Sequence, residues 1–287
     1  MAAPMIVSSR DVQAPRLRTT WPVHRRQTWQ LIVGWAVMTA VWTGIGKLIT
    51  GPLNSSSIVR NDQRIANWMV TQRTPTWNHL TVVGSGLAET LTKVVVTGVL
   101  ALILLIVWKR WLEPLVLLIS LSIEAAAFIV VTTIVNRSRP AVIRLDNSPV
   151  GSSFPSGHVA AAAAYAAIAV VIFWHTRRVW VRCVTVILTV LIPVAVALSR
   201  MYRGMHFLTD VIGGALLGSA AVALTVIVLK SSEEAGLALR QSRDQQSGSR
   251  QPGASTADVP AADEIVTPPD DVAPALPDAS ARQQPTA

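Results

Sequence analysis

Two short polar segments in an otherwise apolar chain contain residue types suited to phosphate chemistry. The segment SRMYRGMHFLTD places His206 and Asp210 four residues apart at the start of an apolar run. On a helix this spacing puts both side chains on one face, where a carboxylate can hold a protonated Nδ1 of the imidazole and leave Nε2 free. We therefore predict that His206 is a nucleophile and that Asp210 orients it.

The second segment, GSSFPSGH, ends in a histidine at the start of another apolar run. His158 is expected at the same membrane level as the first segment, where it can protonate a departing oxygen. The turn before it predicts that the backbone N–H groups of Ser156 and Gly157, with the positive end of the helix, face an anion. Arg139 and Arg200 add planar, permanently charged guanidiniums that suit phosphate oxygens.

Six apolar runs must hold these segments in place. The chain has 287 residues, of which 51% are hydrophobic and only 14% are charged, unlike an ordinary soluble domain. A helix that crosses a membrane needs about 20 mostly apolar residues. Runs near that length lie at about 29–50, 89–108, 114–135, 158–174, 179–198 and 207–229. We predict an all-α integral membrane protein, built as a bundle of six transmembrane helices.

The polar connection at about 51–81 joins the first two spans. Ile65, Trp68 and Met69 recur within it at helical spacing, ahead of Pro75. This pattern predicts a short helix that lies at the membrane interface.

The two ends of the chain differ in composition from the predicted membrane domain at 29–230. Residues 1–28 are polar and basic and contain proline, which predicts a flexible leader. Residues 231–287 are rich in Ser, Glu, Gln, Pro, Asp and Ala and carry few large apolar side chains. They cannot bury enough surface to offset the entropy of ordering, so we predict a disordered tail.

The formal net charge of +9 comes mainly from arginines beside the apolar runs. Because these arginines do not line one polar face, the charge favours membrane lipids and phosphates as partners and argues against nucleic acid. Six spans put both termini on one side, which carries eleven flanking Lys and Arg against eight on the other, or ten if Lys47 and Lys93, just inside the span ends, are counted. This excess predicts cytoplasmic termini and places both polar segments on the extracytoplasmic side of the plasma membrane.

Three blocks of the sequence resemble the signature of the type 2 phosphatidic acid phosphatase superfamily, K-x6-R-P, P-S-G-H and S-R-x5-H-x3-D. The chain shows R-P at Arg139 and Pro140, the whole P-S-G-H block at 155–158, and the whole third block at 199–210. The resemblance covers about 29–229. It implies the helical core that these phosphatases share with vanadate-dependent haloperoxidases. The superfamily includes bacterial lipid phosphatases and undecaprenyl-diphosphate phosphatases.

The resemblance also implies a mechanism. His206 would attack phosphorus to give a phosphohistidine, Asp210 would orient it, and His158 would act as general acid. The phosphate would be held by four residues: Arg139, Arg200, Ser156 and Gly157. Members of the superfamily need no metal or other cofactor, and the bacterial lipid phosphatases present this site on the extracytoplasmic side.

The first block is incomplete, because Thr132 stands where the superfamily has lysine. A phosphate in a partly desolvated site still has to be neutralised, so another cation is expected to replace that lysine. Arg137 is the nearest candidate in sequence, and Lys93, toward the outer end of the second span, is the other. Arg203 either contacts phosphate or caps an outer loop.

These features predict a metal-independent phosphatase that acts on a lipid phosphate or diphosphate monoester. A polyprenyl diphosphate is the first choice, and phosphatidic acid or phosphatidylglycerol phosphate the second. A transporter of anionic substrates is the alternative, although it would not need the spacing of His206 and Asp210. A haloperoxidase is disfavoured because those enzymes are soluble. The sequence leaves the oligomeric state open.

Overall fold

The computed structural model describes residues 23–86, 89–147 and 151–248, and every regular element in these ranges is a helix. The helices are α1 (Arg25–Thr50), α2 (Ser57–Thr71), α3 (Pro75–Gly86), α4 (Thr90–Trp108), α5 (Leu112–Val135), α6 (Gly157–Ala164), α7 (Ala166–His175), α8 (Val179–Tyr202) and α9 (Leu208–Gly248). The chain divides into two units, Met1–Ser242 and Arg243–Ala287. Only residues 243–248, the end of α9, are described in the second unit.

Six helical stretches in the described residues are long and apolar enough to cross a membrane, which confirms the predicted bundle. They are Arg25–Thr50, Leu91–Trp108, Leu112–Val135, Gly157–His175, Val179–Tyr202 and Leu208–Ser231. The fourth is built from α6 and α7, which meet at Tyr165. The chain is therefore an all-α, multi-pass membrane protein.

Two predicted boundaries shift. α1 begins at Arg25, because His24 and Gln27 form a capping box in which the His24 backbone N–H donates to Gln27 Oε1 at 3.0 Å. The predicted leader therefore loses its last residues to the helix, and 1–22 lie outside the described residues. At the other end α9 continues past Ser231 to Gly248, through Glu, Ala, Leu, Arg and Gln, which are good helix formers. The rest of the predicted tail, 249–287, is outside the described residues.

Two helices occupy the connection between α1 and α4. The predicted interfacial helix is α2, whose first turn is capped by Ser56, with Oγ accepting from the Val59 N–H at 3.5 Å. α3 was not predicted, although its start carries a signal. Pro75 is its first residue, and the hydroxyl of Thr74 accepts from the Trp77 N–H at 3.2 Å.

The core of the bundle lies between α5, the α6–α7 pair and α9. About half of the residues in the apolar stretch of each of these helices are buried, against 6% in α8 and 11% in α4. The exposed Val, Leu and Ile side chains of α4 and α8 suit contact with lipid. α9 approaches α6 closely at two glycines. A Cβ at Gly214 would lie 2.4 Å from Ser156 O, and one at Gly218 would lie 2.1 Å from Ala160 O. Only glycine permits this approach, which sets the start of α6 beside the start of α9.

Candidate active site

The predicted site residues converge at one end of the bundle, where α5 and α8 end and α6 and α9 begin. The α8–α9 connection is tight. Gly204 adopts a positive φ of 75°, and its N–H donates to Met201 O at 2.9 Å. The Met205 N–H then donates to Arg200 O at 3.0 Å, which brings His206 back beside the end of α8. A side chain at Gly204 would meet Ile143 O at 3.1 Å, so this turn also packs on the α5–α6 connection.

His206 is buried, and its Nδ1 lies 2.8 Å from the backbone oxygen of Ser153. Because a carbonyl oxygen only accepts hydrogen bonds, Nδ1 carries the proton and Nε2 keeps its lone pair. Burial lowers the pKa of His206 below its usual 6.5, and the charges of Arg200 and Arg139 lower it further, against the opposing effect of Asp210. The imidazole is thus neutral at pH 7, with Nε2 ready to act as a nucleophile.

The carboxylate of Asp210 accepts hydrogen bonds from Phe207 and Arg137 and not from His206. Its Oδ2 is 3.9 Å from His206 Nδ1, too far for a hydrogen bond, and accepts the Phe207 N–H at 2.8 Å. Its Oδ1 accepts from Arg137 at 2.5 Å. The predicted orienting bond to His206 is therefore made by the Ser153 carbonyl, which has no side-chain signature in sequence. Asp210 instead fixes the backbone on which His206 is carried.

Arg137 lies between two carboxylates. Its Nη1 donates to Asp210, its Nη2 donates to Asp62 Oδ2 at 2.9 Å, and its guanidinium stacks over the Phe207 ring at 4.4 Å. Arg137 is 5% exposed and Asp62 is 2% exposed. These contacts differ from the phosphate contact predicted for Arg137. The sequence analysis missed Asp62, since no motif marks this one acid on the interfacial helix.

Two further arginines, Arg139 and Arg200, are close enough for their charges to act on His206. Arg139 donates to Met205 O at 2.6 Å and to Ser152 O at 3.1 Å, and burial lowers its pKa. Arg200 Nη1 donates to Asp146 Oδ2 at 3.0 Å and to Ser85 Oγ at 2.6 Å. Both guanidiniums are thus anchored by neutral or half-exposed groups, and positive charge remains at this end of the site.

Asp146, which the sequence analysis also missed, joins Arg200 to Arg203. Arg203 holds it with two bonds, Nε to Oδ2 at 2.7 Å and Nη2 to Oδ1 at 2.5 Å. Burial alone would raise the pKa of Asp146, but Arg203 and Arg200 together bring it below its usual value. Arg203 also donates to Asn78 O at 3.2 Å, so it ties the α5–α6 connection to α3.

His158 lies in the first turn of α6, half-buried, and the charges of Arg200, His206 and Asp146 act on its imidazole. Just before it, the Ser156 N–H donates to Asp210 O at 3.0 Å, so this amide joins α6 to α9 and is not turned to an anion. The Ser156 hydroxyl is buried and has no hydrogen-bond partner among the described residues. At Gly157, the first residue of α6, a Cβ would lie 2.8 Å from the Phe128 ring, so a larger residue would displace the helix.

The position of the absent lysine is occupied by a buried threonine. Within the described parts of the chain, Thr132 Oγ1 has no hydrogen-bond partner. Lys93, in the first turn of α4, is close enough for its charge to act on His158 and on Glu124, a fully buried residue of α5. Among the described residues, no group of three or more His, Cys, Asp or Glu side chains could hold a metal ion.

Part of the chain is similar to known proteins. Residues 113–233 match the PAP2 superfamily. The transmembrane PAP2 type phosphatidylglycerolphosphate phosphatase from Bacillus subtilis is similar in structure, with a TM-score of 0.57, 24% identity, and coverage of 72% of this chain and 96% of that chain. LpxE of Aquifex aeolicus aligns with a TM-score of 0.43 and 24% identity over 57% of this chain and 93% of that chain. No curated protein sequence matches the chain.

The region matched by the superfamily contains every residue predicted to form the site. At 24% identity, the likeness to the Bacillus subtilis protein establishes the fold alone. The chain is a multi-pass membrane protein in which residues 113–233 match the PAP2 superfamily.

Proposed function

We propose that this protein hydrolyses a phosphate or diphosphate monoester of a membrane lipid, with His206 as the nucleophile. One observation carries the proposal: a buried, neutral imidazole has its Nδ1 proton held by Ser153 O, within reach of the charges of Arg139 and Arg200. This arrangement supplies a free Nε2 and two cations for an anionic phosphorus centre. An anion transporter would need the cations and not the prepared nucleophile.

The reaction would proceed in two displacements. His206 Nε2 forms a bond to phosphorus while the bond from phosphorus to the lipid oxygen, or to the bridging oxygen of a diphosphate, breaks. Binding of the anionic phosphate favours the imidazolium form of His158, which gives its proton to the departing oxygen and becomes neutral. Water then attacks the phosphohistidine and loses a proton to His158, the P–N bond breaks, and inorganic phosphate leaves. Arg139, Arg200 and the Ser156 hydroxyl would hold the phosphoryl oxygens throughout, with the first-turn N–H of Gly157.

A polyprenyl diphosphate is the preferred substrate class. A cavity of about 640 Å³ lies beside the site and is lined by residues 139–144 and Gly151, which include Arg139 and Arg144. Two guanidiniums on this cavity suit a diphosphate, which carries more negative charge than phosphatidic acid. Phosphatidylglycerol phosphate is the second candidate, supported by the name of the structurally similar Bacillus subtilis enzyme.

The missing lysine is proposed to be replaced by Lys93. Arg137, the nearer candidate in sequence, has its guanidinium bound to Asp62 and Asp210. The charge of Lys93 acts on His158, which supports a role for this cation beside the leaving oxygen. Its carbonyl accepts from the hydroxyl of Tyr165 at 3.3 Å, which fixes this part of α4 against the α6–α7 pair.

Phosphate release from purified protein in detergent tests the activity. Polyprenyl diphosphate, phosphatidic acid and phosphatidylglycerol phosphate should be compared side by side, with His206→Ala as the control. We expect release from at least one lipid, undiminished by excess chelator and inhibited by vanadate, which mimics pentacoordinate phosphorus. Release from none of them, or release that a chelator abolishes, would reject the proposal.

We also propose that the site faces outward from the plasma membrane, with both termini in the cytoplasm. The small excess of Lys and Arg on the terminal side supports this orientation. In a Cys183→Ser background, Asn147→Cys should react with an impermeant thiol reagent in intact cells, and Arg177→Cys should react only after lysis. Both positions are exposed, so accessibility of the side chain does not bias the comparison. The opposite labelling would invert the topology.

A further inference from the structure

Asp62 makes contacts that reach the active site from outside the superfamily match. It lies on α2, ahead of residues 113–233, and its side chain is 2% exposed. Its Oδ2 accepts from Arg137 at 2.9 Å and from the Thr209 hydroxyl. Its Oδ1 accepts the Thr209 N–H at 3.2 Å. A residue of the interfacial helix is thus bound to the first turn of α9, next to the nucleophile.

A buried ion-pair network joins Asp62 to Arg137 and Arg137 to Asp210. One guanidinium serves both carboxylates, and all three side chains are at most 6% exposed. A buried charge without its partner is costly. If one carboxylate is lost, the Arg137 guanidinium is therefore expected to move toward the carboxylate that remains. The location of the Asp210 carboxylate therefore depends on Asp62.

Arg137 is connected to His206 through its backbone as well. The Arg137 N–H donates to Ser152 Oγ at 3.1 Å, and Arg137 O accepts the Ser153 N–H at 2.8 Å. Ser153 O is the oxygen that holds His206 Nδ1. Displacement of Arg137 would disturb both the acceptor of the imidazole proton and the Asp210 contact to the backbone of Phe207.

We propose that Asp62 is a positioning residue of this active site, which anchors Arg137 and the start of α9 so that His206 keeps its attacking geometry. The inference rests on the proposed phosphatase function. It makes α2 a part of the enzyme's working site. Asp62 itself does not contact the substrate, so its loss should reduce the rate of the chemical step and leave binding of the lipid largely unchanged.

Asp62→Asn tests this role with little change in shape. The amide oxygen can still accept the Thr209 N–H, while the amide group removes the charge that holds Arg137. Because Arg137 then loses one of its two charged partners and the carboxylate of Asp210 is no longer held in place, kcat should fall at least about tenfold. KM should stay within about twofold, since the phosphate-binding arginines are untouched, while vanadate inhibition should weaken together with kcat, because vanadate mimics the pentacoordinate phosphorus that His206 attacks. Asn61→Ala, an exposed position on the same helix, is the matched control and should retain wild-type kcat.

A double-mutant cycle separates positioning from general destabilisation. If Asp62 acts through Arg137 and Asp210, Asp62→Asn should lower kcat much less in an Asp210→Asn background than in the wild type. The proposal would be overturned if Asp62→Asn lowered kcat by the same factor in the Asp210→Asn background as in the wild type. A wild-type kcat in Asp62→Asn would overturn it as well. If Asp62→Asn does not fold, Asp62→Glu keeps the charge but shifts the carboxylate by one methylene. Its kcat should fall at least about threefold with KM unchanged, and a wild-type kcat there would overturn it equally.

The wild-type protein distinguishes this failure from a failure of the proposed function. An inactive wild type on every lipid of the panel rejects the phosphatase proposal. An active wild type with an unaffected Asp62 variant rejects only the role of Asp62.

Discussion

Two arginine–aspartate clusters at the same end of the bundle have opposite charge balance. The carboxylate-rich cluster, Asp62, Arg137 and Asp210, has one guanidinium and two carboxylates, and its side chains are at most 6% exposed. The arginine-rich cluster, Arg200, Arg203 and Asp146, has two guanidiniums and one carboxylate, and the Asp146 side chain is 24% exposed.

The difference shows how similar residues can serve different tasks. In the carboxylate-rich cluster the charges satisfy one another away from water, which favours fixed geometry over ligand binding. In the arginine-rich cluster two guanidiniums share one carboxylate, so a net positive charge remains, and Asp146 is the partly exposed member beside arginines that are 5% and 7% exposed. Arg137 and Arg139 are only two residues apart in sequence, yet the first lies within the carboxylate-rich cluster and the second lines the open cavity.

The largest effect is expected at His206, the proposed nucleophile. His206→Ala should lower kcat at least about a thousandfold, because no other side chain can form the covalent intermediate. Asp210→Asn should cost less, since the Ser153 carbonyl still holds the imidazole. Phosphate release under saturating lipid measures both. A fully active His206→Ala would remove the basis for comparing the clusters at all.

The next test compares the loss of Arg200 with the loss of Arg137. Arg200→Ala should lower kcat/KM about a hundredfold and weaken vanadate inhibition, with little loss of thermal stability, because it removes charge stabilisation of the transition state. Arg137→Ala should instead destabilise the fold by about 3–5 kcal/mol, since two buried carboxylates lose their partner. Thermal unfolding in detergent and vanadate titration measure the two effects. A stable Arg137→Ala with weak vanadate inhibition would assign phosphate binding to Arg137.

A smaller effect is expected at the cation proposed to replace the absent lysine. Lys93→Ala should lower kcat/KM about tenfold, or roughly 1.4 kcal/mol of transition-state stabilisation. Thr132→Lys in that background should recover part of the loss, because it restores a cation at the superfamily position. Unchanged kcat/KM in Lys93→Ala, with a gain from Thr132→Lys alone, would show a site that is one cation short.

The smallest effect is expected at Asp146 and depends on pH. Because its pKa is lowered in the folded protein, its ion pairs stabilise the fold above the ordinary value of 3.8, and that contribution is lost as the pH falls through the lowered pKa. Asp146→Asn should therefore lower Tm at pH 7 by about 2–4 °C for roughly 1 kcal/mol. The difference from wild type should shrink below about pH 4. An equal difference at both pH values would mean that packing, not charge, accounts for it.

The sequence was informative where signals are local. Length and hydropathy predicted six spans, and motif spacing placed His206, His158 and Arg200 at one end of the bundle. The contacts that define the two clusters are not local. Arg137 and Asp62 are 75 positions apart, and Thr209 and Asp62 are 147 apart. Neither lone acid, Asp62 nor Asp146, has a motif, and a backbone acceptor such as Ser153 O has no residue-type signal at all.

The glycine contact between α6 and α9 bears on how the enzyme responds to bilayer thickness. Gly214 and Gly218 bring the backbones of these helices together, and the Ser156 N–H bonds to Asp210 O at 3.0 Å. A thicker or thinner bilayer is accommodated by tilt, which we expect mainly in α4, a helix whose apolar stretch is only 11% buried. The two helices that carry His158 and follow His206 are instead in close backbone contact. We therefore expect turnover to vary little with the acyl-chain length of the host membrane.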